Sequence, residues 1–193
     1  MNLFQLIREN IAGAWQVMLG RREGLNRLDT SLEGFWRSFA AVIMLAPFAL
    51  LALFSQPRLA DAAGAPMDPL TVSGVALAGL ALFVDWFAFP IVLAVLALPF
   101  GLGSRYVPFI VTRNWASVII GAVVGAVHAL HLVGVLPTVL VPYLLLAAVA
   151  VALRFSYVIA RLALAVSMGM ALPIVLLELL ISLTVWSAFD RLI

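Results

Sequence analysis

The chain has no cysteine and no lysine among its 193 residues, and only 10% of it is charged. The missing cysteine excludes a disulfide framework, a thiolate metal site, and lipoprotein or prenyl attachment. The scarcity of charge excludes a soluble domain, because 65% of the residues are hydrophobic and the mean hydropathy is +1.19. All eleven cations are arginine, and the net charge of +2 is too small for nucleic-acid binding. Several site motifs are also missing: the phosphate-binding GxxxxGK[ST], GxSxG, HExxH and the EF-hand loop. No nucleophile–base pair is visible, so the chain is expected not to be an enzyme and to carry no cofactor and no metal. Arg8, Glu9 and Asn10 interrupt the apolar run at the start, which argues against a secretory signal there.

What is present is a series of long apolar stretches. About 20 apolar residues cross a bilayer core at 1.5 Å per helical residue. Five stretches qualify: from Phe35 or Ser38 to Phe54, Leu70–Phe100, Trp115–Leu136, Pro142–Ala160 and Leu162–Phe189. The class is therefore all-α, a polytopic five-span helix bundle. Residues 55–69 and 101–114 read as loops on their proline, glycine and arginine content. Leu70–Phe100 is longer than a span needs. It is expected to be one helix bent at Pro90, because splitting it would send Arg105 and Arg113 across the membrane against the positive-inside rule. The arginine distribution then places the N-terminus in the cytoplasm and the C-terminus in the periplasm, in a bacterial inner membrane.

Residues 1–34 are expected to be a cytoplasmic unit before the membrane domain of residues 35–193. Leu3, Phe4, Ile7, Ile11, Trp15 and Met18 recur at helical spacing, and Gly20 is a plausible stop. Such a helix either lies in the membrane interface or packs on the cytoplasmic end of the bundle. Residues 21–37 read as a solvated connector, with Thr30 and Glu33 forming a capping box for the next helix.

Ionisable residues inside apolar spans are costly and need partners. Asp85 sits in the second span, with Gly74, Ala78, Ala81 and Ala88 on its side of the helix. Counted from the outer face, Asp85 lies roughly 20 Å deep and Arg154 of the fourth span roughly 18 Å. The equal depth predicts a buried Asp85–Arg154 pair. The same count groups His128, His131 and Glu178 in a shallower layer, roughly 8–12 Å from the outside. Each group reads either as a register-fixing bridge or as a proton or solute path. Ser117, Gly121, Gly125 and Ala129 place a small residue every four along the third span, which predicts close helix contact, within the chain or with a second copy.

A short polar N-terminal region followed by five closely spaced helices resembles the YIP-type five-span membrane family and its bacterial relatives. The Asp-Leu-Tyr-Gly-Pro signature of the eukaryotic members is absent, so no functional residue carries over. The resemblance implies a scaffold or trafficking-type role and not catalysis, and the favoured reading is a non-catalytic scaffold or accessory subunit of a membrane complex. Its partners would be the bilayer and a membrane protein or a second copy, not nucleic acid. The alternative is a small proton- or ion-coupled transporter or channel-like protein using Asp85, Arg154, Glu178 and the His128/His131 pair, with Pro47, Pro90 and Pro173 breaking helices around a midplane site.

Overall fold

A computed structural model describes residues 2–65 and 70–191, and these are all-α, with no strand among them. The helices are α1 (Leu3–Met18), α2 (Leu32–Phe39), α3 (Ala41–Ala62), α4 (Val72–Ala97), α5 (Gly103–Leu132), α6 (Val141–Ala163) and α7 (Met168–Asp190). Five segments are long and apolar enough to cross a membrane: α2 with α3, then α4, α5, α6 and α7. Their outward surface is itself apolar, with Ile43, Phe83, Val95, Leu146 and Leu180 all exposed. In water such a surface would aggregate; in lipid it is the required one. The chain is an integral membrane protein.

α1 opens with a reciprocal capping box between Asn2 and Gln5 and stops at Gly20, which adopts φ +86°. A short 3-10 helix, Arg22–Arg27, then folds back on α1. This return needs two glycines. A Cβ on Gly24 would lie 2.5 Å from the Gly13 carbonyl oxygen. Buried Asn10 fixes the return: its amide donates to the Leu6 carbonyl at 2.8 Å and its oxygen accepts from the Asp29 N–H at 3.0 Å. Glu9 lies 3.2 Å from both Arg8 and Arg27. Residues 21–37 are therefore a folded clasp, largely exposed as a solvated connector should be, with Gly24, Leu28 and Gly34 buried. The capping box expected from Thr30 and Glu33 is corrected. Asp29 accepts from the N–H and hydroxyl of Ser31, and it is Ser31 that caps α2 by accepting from Gly34 N–H at 3.0 Å. Glu33 pairs with Arg37 instead.

α1 packs on the bundle, one of its two expected placements. Leu6, Ala14, Val17 and Met18 are buried against the bundle. Phe4 and Trp15 stay exposed and, with Ile7 and Ile11, line an apolar groove completed by Met44 and Ile119. The buried seam is thus rotated from the expected face, of which only Met18 is fully buried; the side chain of Leu3 lies outside the described residues.

Three span boundaries differ from expectation; at one of them α6 runs on to Ala163, so α7 begins at Met168 and not at Leu162. α3 continues past Phe54 through Pro57 to Ala62. Its extension is held by Arg58, which donates to the Leu132 carbonyl at 2.7 Å, so packing on α5 overrides the local loop signals. Pro66 and Pro69 of the expected loop lie outside the described residues. α5 begins at Gly103, not Trp115, and its 30 residues span about 45 Å. Pro108 falls in its second turn, where few backbone bonds are lost. α4 is a single helix through Pro90, as expected, and Tyr106 donates to the Pro90 carbonyl at 2.9 Å.

α5 is the central rod. It packs against α1, α2, α3, α4 and α6, while α7 closes the other side against α4 and α6. Its longest seam is with α3, and there the small-residue stripe does its packing: Gly121 receives Leu45, and a Cβ on Gly125 would meet Phe48 at 2.5 Å. The stripe is an internal contact. Ser117 turns back to donate to the Arg113 carbonyl on its own helix.

Candidate functional site

Because α5 starts early, Arg113 is a helical residue inside the bundle and not a loop cation. It lies ten residues from Gly103; Glu178 lies ten from Met168, and Asp85 twelve from Ala97. All three are therefore about 15–18 Å from the same end of the bundle, the end that carries α2. Arg113 Nε donates to Glu178 Oε1 at 2.5 Å, and both side chains are mostly buried, at 13% and 19% exposure. The guanidinium carbon sits 5.2 Å from the Phe89 ring centre and 5.6 Å from Trp86. A cation held over two aromatic faces and against a carboxylate is compensated on several sides. Asn114, beside it, donates to the Ser38 hydroxyl at 3.0 Å, in a fully buried contact that ties α5 to α2.

Asp85 points to the same region. It is half-buried, faces Ser182 and Trp186 of α7, and lies within electrostatic range of both Arg113 and Glu178. The cluster thus holds two carboxylates and one guanidinium. Beside it a cavity of about 190 Å³ lies between α5, α6 and α7, with Arg113, Glu178, Ser156 and Ser182 supplying its polar lining.

The expected Asp85–Arg154 pair does not form. Among the described residues Asp85 makes no ion pair. Arg154 is exposed on α6, where it donates to the Met18 carbonyl at 3.3 Å. Equal depth was a true observation about two helices that do not face each other: α4 packs on α7 and α5, whereas this part of α6 packs on α1. The second expected cluster is corrected too. Glu178 is held by Arg113, which is fifteen residues, about 22 Å, below His128 on α5.

His128 and His131 are each 3% exposed and lie near the far end of the α3–α5 seam. His131 Nδ1 is 3.4 Å from the Leu136 carbonyl. Among the described residues His128 Nδ1, His131 Nε2 and the buried Ser55 hydroxyl have no hydrogen-bond partner. Leu45, Phe48 and Ser55 share one face of α3 by their spacing of three and seven, so Ser55 belongs to the same seam. Among the described residues no three His, Asp or Glu side chains gather closely enough to hold a metal ion.

What the sequence reading missed is Arg113. The signal was present: after Gly103 no residue up to Arg113 is glycine, asparagine or aspartate, so nothing breaks a helix there except Pro108. Comparison of the chain with protein-family models, curated proteins and solved structures gives no match.

Proposed function

We propose that this integral membrane protein is a non-catalytic scaffold or accessory subunit of an inner-membrane complex, with its N-terminus cytoplasmic and its C-terminus periplasmic. The observation that supports this is how the mid-depth charges are used. Arg113 and Glu178 are tied to each other across α5 and α7, under Trp86 and Phe89 of α4, which locks three helices in one register. The folded segment of residues 2–31, before the first span, adds a second element suited to presenting a fixed surface. The five-span layout that resembles the YIP-type family supports the same role. Isolation in mild detergent tests it. A stoichiometric membrane-protein partner is the expected result. A self-oligomer enclosing an aqueous path would overturn it.

One observation favours the transport reading: the 190 Å³ cavity touches both members of the ion pair, and Asp85 adds a second carboxylate nearby. Asp85→Asn in reconstituted vesicles separates the two. Impaired assembly with unchanged proton or cation flux supports the scaffold; abolished flux in a correctly assembled protein supports transport.

A further inference from the structure

We propose that the seam between α1 and α6 binds an anionic glycerophospholipid of the bilayer, with Arg154 holding its phosphate and an acyl chain lying in the groove between α5 and α6. Arg154 is nine residues, about 14 Å, from the end of α6 at Ala163. An outward-facing arginine within an apolar span is costly unless something anionic meets it. Among the described residues it has no ion pair, and one backbone carbonyl is its sole protein acceptor. Its guanidinium lies 5.2 Å from the Phe155 ring, which holds it in place beside the groove. The planar fork matches a phosphate.

The charge around it agrees. Within the clasp, Arg8, Arg27 and Arg37 already pair with Glu9, Asp29 or Glu33. Arg21 and Arg22, which follow the end of α1, have no ion pair among the described residues, and both are exposed. The 3-10 helix that starts at Arg22 touches α6. Arg161 lies seven residues beyond Arg154 on the same face of α6 and is likewise without an ion pair among the described residues. Four of the arginines without an ion pair among the described residues, Arg21, Arg22, Arg154 and Arg161, therefore lie where α1 meets α6, while Arg58, Arg105 and Arg191 lie on α3, on α5 and after α7.

The groove supplies the other half. It holds about 400 Å³, is almost wholly apolar, and includes Met18 and Phe155, the residues that contact Arg154. Along α6 it runs from Phe155 to Leu144, about 16 Å. Ala147, Ala148 and Ala152 make its floor shallow enough to admit a chain. At Trp15 and Ile119 it joins the apolar groove beside α1. A cationic mouth on a long greasy trough fits a lipid with a negative headgroup and excludes a soluble anion as the preferred ligand.

Native mass spectrometry of the full chain, exchanged into phosphatidylglycerol or phosphatidylcholine, tests this. The expected result is one phosphatidylglycerol retained per chain under activation that strips phosphatidylcholine. Arg154→Gln should lower that retention at least roughly five-fold, the worth of about 1 kcal/mol per lost cation. Because Arg154 also touches Met18, a second variant leaves it in place: Ala148→Phe fills the trough and should lower retention by a similar factor. Brominated phosphatidylglycerol should quench Trp15 fluorescence, read as the difference from Trp15→Phe. Equal retention of both lipids by the native chain would overturn the proposal. So would undiminished phosphatidylglycerol binding in Ala148→Phe, or displacement of the bound lipid by inorganic phosphate.

Discussion

Arg113 and Arg154 are both arginines within long apolar helices, and the protein treats them in opposite ways. Arg113 is enclosed by α4, α5 and α7, with a carboxylate and two aromatic rings around it. Arg154 stands on the outside of α6, bonded to one carbonyl at the end of α1. The first charge is neutralised by the protein, and the second is left for the surroundings. Depth alone does not distinguish them; the neighbours of each helix do.

The contrast predicts very different mutational costs. Glu178→Gln takes away the carboxylate bonded to the buried Arg113 guanidinium, leaves only the more distant Asp85 as counter-charge, and should destabilise by about 3 kcal/mol. Reversible unfolding in mixed micelles would measure it. Arg154→Gln leaves no buried charge behind, so its loss in the same measurement should stay below about 1 kcal/mol. A loss at Arg154 as large as at Glu178 would break the comparison.

Next in size is the α3–α5 seam. Gly125→Val places side-chain atoms where Phe48 lies and should cost roughly 1–3 kcal/mol. Gly79→Ala, on α4, meets nothing within 4 Å and should be neutral or mildly stabilising, by up to about 1 kcal/mol. Thermal unfolding of the pair compares an enclosed helix surface with an open one.

The smallest effect concerns the clasp. Ser31→Ala removes the α2 cap and should cost about 1 kcal/mol, while Thr30→Ala should change stability by only a few tenths. Amide exchange across residues 29–37 reads the difference. If Thr30 proves the costlier site, the capping geometry described above is wrong.

The number and class of spans were legible because each contains an apolar run long enough to cross lipid, and Pro90, inside α4, did not disguise Leu70–Phe100. The start of α5 was not legible. Arg113 and Asn114 look like part of a polar loop until α2, α4 and α7 are placed around them and supply Ser38, Trp86, Phe89 and Glu178 as partners. The same limit hid the clasp: nothing local to Gly13 or Gly24 says that they touch. The stripe at Gly121 and Gly125 announced a close contact, but only the fold named Leu45 and Phe48 as its occupants. Asp85 was rightly singled out as a mid-depth acid. Its supposed partner failed because depth is one coordinate, and pairing needs the order of helices around the bundle as well.

The central claim is that α5 and α7 are locked through one buried ion pair, and a double-mutant cycle on Arg113→Met and Glu178→Met tests it most directly. The account predicts two costly single variants, a double variant close to the native stability, and a coupling of at least about 2 kcal/mol. Additivity within about 0.5 kcal/mol would contradict it.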